Sequence, residues 1–102
     1  FAAKRAVRKI LKEFQPDIVI GTGGYVTGTV LSQAAALGIK TVTHESNSYP
    51  GMATKMLAKK ADKVLLATAD AEKYLSSTEH CVVTGNPLRS ITTISPAVTW
   101  NF

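Results

Sequence analysis

Three short clusters in this sequence carry residue types capable of chemistry. Gly21-Thr22-Gly23-Gly24-Tyr25 follows the apolar run Ile18-Val19-Ile20 and precedes a helical pattern. That order predicts a strand, a tight turn and a helix N-terminus. Glycine takes φ > 0 cheaply, and a residue without Cβ lets a ligand approach the backbone. The free N–H groups opening the helix, with the positive end of its dipole behind them, make an anion site, most often for phosphate. Two nucleotide motifs are excluded. The dinucleotide pattern needs glycine where Val26 stands, and the P-loop needs Gly-Lys-Ser/Thr after the turn. Taken alone, a purely structural glycine turn is the competing reading.

The second cluster is His44-Glu45-Ser46-Asn47. A neutral histidine can act as a base near pH 7, and a carboxylate can hold a hydroxyl or orient the imidazole. Neighbours in sequence point different ways, so the two need not touch, and a structural histidine is the plainer reading. No second His or Cys is spaced for a metal, and Ser46 and Ser48 lack a nucleophile elbow. The third cluster is Gly85-Asn86-Pro87-Leu88-Arg89. Asn before Pro is first a turn signal. Arg89 is either a surface charge or an anion ligand.

The elements that must position these clusters alternate. Residues 2–14 read as a helix with Ala3, Val7, Ile10, Leu11 and Phe14 on one apolar stripe and Lys4, Arg5, Arg8, Lys9 and Lys12 opposite. That basic side is either a solvated face or a surface that meets anionic lipid headgroups. Pro16 ends the helix, because Gln15 before it is pushed out of the α region. Ile18–Ile20 is a strand, Thr27–Leu37 a helix stopped by Gly38, and Thr41–His44 a second strand. Glu45–Pro50 is a polar loop. Gly51 to Lys60 is a third helix, with Met52, Met56 and Leu57 expected on its buried side. Val64–Ala67 is a strand, Thr68 a candidate cap for a short helix over Ala69–Leu75, and Cys81–Thr84 the last strand. Residues 90–102 show no period and read as a tail or interdomain linker. This βαβ alternation predicts an α/β fold: a Rossmann-like parallel sheet with flanking helices and right-handed crossovers. Ligands of such sheets bind off the carboxyl ends of the strands. All three clusters fall at that rim, while the amino ends carry only Asp17, Lys40 and Lys63.

Bulk properties narrow the partners. The 102 residues suffice for one small domain, and a hydrophobic content of 45% argues against disorder. One cysteine excludes an internal disulfide and fits a reducing compartment. No apolar run reaches transmembrane length. The net charge of +5 favours anionic partners. The few aromatics are not interleaved with Lys and Arg, so no nucleic acid is expected.

Four motifs in unbroken order, GTGGYVTG, HESNSYPG, KADKV and VVTGNPLR, resemble the MurG family over residues 1–89. That family comprises the bacterial UDP-N-acetylglucosamine:lipid I N-acetylglucosaminyltransferases of peptidoglycan synthesis. The resemblance implies half of the N-terminal, acceptor-binding domain of a GT-B fold, with residues 1–89 as its second half. It implies an inverting hexosyltransferase without metal or cofactor, making lipid II peripherally at the cytoplasmic face of the membrane. By the same resemblance Gly21, Gly23, Gly24 and Tyr25 match the loop that receives the acceptor's pyrophosphate. Asn47 and Arg89 match residues that reach the donor UDP-N-acetylglucosamine. His44 and Glu45 match polar residues facing the catalytic cleft, and the helix at 2–14 lies in the family's membrane-contact surface. The family's usual HEQN is here His44-Glu45-Ser46-Asn47. Its first glycine loop with a candidate base histidine, and its uridine-holding C-terminal domain, have no counterpart in these residues, so the chain alone is expected to be inactive. Two rivals stand beside this reading. One is a related glycolipid glycosyltransferase with a diacylglycerol acceptor, and the other is a non-enzymatic anion or membrane-surface module.

Overall fold

The computed structural model describes residues 2–86. Its elements run α1 (Ala2–Phe14), β1 (Ile18–Gly21), α2 (Tyr25–Ala36), β2 (Lys40–Glu45), α3 (Met52–Leu57), β3 (Lys63–Leu66), a 3₁₀ turn (Ala69–Tyr74) and β4 (Cys81–Val83). The strands form one parallel sheet in the order β1-β2-β3-β4. This is the predicted α/β architecture. Pro87, Leu88, Arg89 and the tail over residues 90–102 lie outside the described residues.

Register decides which side chains share a face. Ile20 pairs with Val42, Thr43 with Val64, and His44 with Leu65. Paired residues of a parallel sheet point the same way and successive ones alternate. One face therefore carries Val19, Gly21, Thr41, Thr43, Glu45, Val64 and Leu66. It is covered by α2, which packs on β1 and β2, and by α3, which packs on β2. Leu31, Leu57, Ala61, Val64, Leu66 and Ala71 make the core there. The other face carries Ile18, Ile20, Val42, His44 and Leu65. Ile20 is 65% exposed on it, and β1 is an edge strand among the described residues.

At its amino end β2 is gripped by the turn before β3. The Asp62 carboxylate accepts the Thr41 backbone N–H at 2.8 Å, and the Asp62 N–H donates to the Thr41 carbonyl at 3.0 Å. After α2, Gly38 (φ 78°) sits past the helix end. The Ile39 N–H bonds back to the Ala34 carbonyl and the Gly38 N–H to the Ala35 carbonyl, both at 3.0 Å. This paired arrangement satisfies the last helical carbonyls and needs the left-handed residue that glycine supplies.

Four local expectations are corrected. In α1 only Leu11 of the apolar stripe is buried, while Ile10 and Phe14 are 63% and 77% exposed. The helix packs on α2, so a single line of its surface is covered. Helix α2 begins two residues early, directly after Gly24, because Gly24 is its last non-helical residue. Met52 and Met56 are exposed, at 84% and 45%. Helix α3 is barely two turns long, and Thr54, Leu57 and Ala58 occupy its inward side. Thr68 does not cap the following segment, which is 3₁₀ rather than α, and its hydroxyl is buried without a partner among the described residues.

Thr43 is fully buried and its Oγ1 likewise lacks a partner. Burying an unpaired hydroxyl costs about 1–3 kcal/mol. Thr43→Val, nearly isosteric, is therefore expected to raise stability by about 1 kcal/mol in a denaturant titration; an unchanged or lower midpoint would show that the hydroxyl is satisfied in solution.

Candidate functional site

The carboxyl rim of the cleft is built from the exits of β1 and β2. At the first, β1 ends in Gly21 directly beneath α2. A Cβ on Gly21 would collide with the Thr27 methyl and lie 3.0 Å from a Leu31 methyl, so glycine permits the close strand–helix approach. Gly23 and Gly24 then take φ of 106° and 88°, which side chains rarely adopt. The Thr27 hydroxyl donates back to the Gly23 carbonyl and ties the loop to the helix. No side-chain hydrogen bond caps α2, so its opening N–H groups are left without a side-chain acceptor.

At the second exit, the strand pleat sends His44 and Glu45 to opposite faces. His44 Nε2 lies 3.2 Å from the Gly85 carbonyl. A carbonyl only accepts, so Nε2 carries the proton in this contact. The imidazole thereby ties β2 to the loop leaving β4, across the intervening strand. Glu45 is 7% exposed and turned toward α3. Its Oε1 accepts the Gly51 N–H and the Thr54 hydroxyl, both at 2.7 Å. Its Oε2 accepts the Asn47 N–H and the Asn47 side-chain amide, both at 3.2 Å. Burial pushes the carboxyl's pKa upward, but the bonds from Gly51, Thr54 and Asn47 outweigh it and hold the group below the usual carboxylate range.

Between the two exits lies a cleft of about 590 Å³. Thr22, Gly23, Gly24 and Gly28 form one wall, Ser46 and Asn47 another, and Met52 and Met56 an apolar side. The cleft thus joins the glycine loop to Asn47. His44 points away from it, and Tyr25 opens α2 as the helix's first residue. Arg89 lies outside the described residues. The sequence reading missed Thr54, whose hydroxyl completes the Glu45 cluster. A signal existed: Gly51 precedes α3 with no side-chain oxygen of its own, so a helix start there must borrow an acceptor.

Residues 1–66 match the model of the glycosyltransferase family 28 N-terminal domain. A UDP-N-acetylglucosamine–N-acetylmuramyl-(pentapeptide) pyrophosphoryl-undecaprenol N-acetylglucosamine transferase of Alkaliphilus oremlandii is 54% identical over 83 residues, which cover 81% of this chain and 23% of the relative. The transferase of the same name from Acetivibrio thermocellus is 47% identical over 90 residues, 88% of this chain and 24% of the relative. The crystal structure of Acinetobacter baumannii MurG superposes with a TM-score of 0.70 at 30% identity, covering 83% of this chain and 24% of that one. The chain spans about a quarter of the length of the curated relatives it matches.

Proposed function

The chain belongs to glycosyltransferase family 28 through its N-terminal domain, and from that premise we propose that it forms the acceptor side of an inverting N-acetylglucosaminyltransferase. The reaction moves N-acetylglucosamine from UDP-N-acetylglucosamine to lipid I, yielding lipid II for peptidoglycan synthesis. A hydroxyl of the acceptor sugar attacks the anomeric carbon and UDP leaves. The enzyme must hold both partners in line and stabilise the leaving diphosphate. The observation that carries this reading is the cleft itself, where Gly23 and Gly24, at the uncapped start of α2, line one cavity with Asn47. Gly21, Gly23, Gly24 and Tyr25 serve the acceptor pyrophosphate, and Asn47 and Arg89 serve the donor. Residues 1–89 act as the second half of the acceptor-binding domain, and residues 90–102 as a tail or interdomain linker. Arg5, Arg8, Lys9 and Lys12, with Glu13, line a shallow groove along α1, and its basic excess suits an anionic membrane surface at the cytoplasmic face.

The test is a hybrid enzyme in which residues 1–89 replace the corresponding segment of the Alkaliphilus oremlandii transferase. It should make lipid II from a lipid I analogue and leave diacylglycerol untouched. Transfer to diacylglycerol would favour the glycolipid reading, and anion or vesicle binding without transfer would favour a non-enzymatic module. In the active hybrid, Arg89→Ala should lower donor kcat/KM by about tenfold or more, since a hydrogen bond to a charged group is worth about 1.5–3 kcal/mol, and Asn47→Ala by about tenfold, the upper end of the ~0.5–1.5 kcal/mol of a neutral bond. Wild-type donor kinetics in both variants would remove them from the site.

A further inference from the structure

We propose that Glu45 is a positioning residue that fixes Asn47 with its amide nitrogen turned inward, so that the cleft is offered a carbonyl oxygen. The proposal rests on the transferase reading above and assigns Glu45 no proton transfer.

An ionised carboxylate has about four lone-pair sites. In Glu45 all four have donors: Gly51 and Thr54 on Oε1, and two Asn47 groups on Oε2. A proton can land on this group only by evicting one of them. The same bonds lower its basicity, whereas a general base works best with a pKa near the operating pH. Glu45 borders the cleft but is only 7% exposed there, and its carboxylate oxygens are turned to Asn47, Gly51 and Thr54.

What the carboxylate does follows from its chemistry. It only accepts, so the Asn47 side chain must present Nδ2 to it. The amide flip, ambiguous for an isolated asparagine, is thereby set. Oδ1 and one N–H remain for the cleft that Asn47 lines. A carbonyl oxygen meets hydroxyl or amide N–H donors and repels phosphate oxygens. Through Oδ1, Asn47 therefore addresses the donors on the sugar, its hydroxyls or its acetamido N–H, and a phosphate oxygen can meet this side chain only at the remaining N–H. The opposite arm, through Gly51 and Thr54, anchors the carboxylate to the start of α3, so the clamp has a rigid back.

Glu45→Gln isolates the Asn47 arm. The glutamine oxygen can keep Gly51 and Thr54, while its amide places hydrogens against the Asn47 donors. In the hybrid enzyme, Glu45→Gln should lower donor kcat/KM by about tenfold, matching Asn47→Ala. Added to Asn47→Ala it should cost less than about threefold more, and the acid limb of the pH profile should stay. Multiplying losses, or loss of that acid limb, would make Glu45 a proton-transfer group and overturn the proposal. An unsubstituted hybrid that makes no lipid II refutes the transferase reading instead. The clamp is then read by NMR on the 102-residue chain. The Gly51 and Asn47 N–H resonances should shift together as Glu45 titrates, with a midpoint below the usual carboxylate range. Resonances indifferent to that titration would refute the clamp.

Discussion

Alanine at position 24 should lower acceptor kcat/KM of the hybrid enzyme by about a hundredfold or more, which is about 2.7 kcal/mol of transition-state stabilisation, and should also destabilise the fold. Gly24 sits at φ 88°, ψ 165°. That region is essentially closed to side chains and costs an L-residue about 1–3 kcal/mol. A Cβ there meets nothing within 4 Å, so the penalty is conformational rather than steric. The loop escapes it by rotating the peptide out of this geometry. Gly24 is the residue immediately before α2, and no side-chain hydrogen bond caps that helix, so the rotation displaces the opening N–H groups from where we propose the acceptor's pyrophosphate binds. Steady-state kinetics with varied lipid I analogue, paired with a denaturant titration, checks both effects. Acceptor kinetics equal to wild type would detach the glycine loop from acceptor binding. Gly21→Ala should fail differently, through collision with Thr27 and Leu31 beneath α2.

By itself the 102-residue chain should self-associate and transfer no sugar. Among the described residues strand β1 is an edge, whose outward backbone groups are a template for another strand. Ile20, 65% exposed, and Ile18, 38% exposed, extend that edge across the sheet face that α2 and α3 do not cover. A chain of this length also buries a smaller share of its surface than a full-sized domain. Sedimentation at micromolar concentration should show dimers or larger species, and Ile20→Lys should shift them toward monomer by placing a charge on the edge. A stable wild-type monomer would refute the edge argument. Measurable transfer by this chain would refute the assignment of essential groups to the remainder of a longer enzyme.

Much of the fold was legible because its signals are local. The runs Ile18–Ile20 and Val64–Leu66, the alanine-rich segment and Gly38 each announce an element within a few residues. The misplacements came from tertiary partners. Periodicity says that α1 has an apolar stripe but not that one helix covers one line of it. It says that Met52 and Met56 share a side with Leu57, but not that Thr54 and Ala58 take the inward positions in so short a helix. Of the site, the one-sided rim was legible from topology. The role of Glu45 was not, because its partners Asn47, Gly51 and Thr54 lie along a loop whose path periodicity does not describe.

The grip of Asp62 on Thr41 lies at the chemically silent end of the sheet, yet it governs the accuracy of the rim. Because the pleat has a period of two, a one-residue slip of β2 against its neighbours would exchange the sides that residues 44 and 45 address. The imidazole would then turn toward α3 and the carboxylate toward the face opposite α2 and α3, and both loops would be unlatched at once. His-Glu in that order is thus a parity code, readable only while the strand is anchored at its far end. Sequence drift at position 62, remote from any substrate, would surface as infidelity in the cleft.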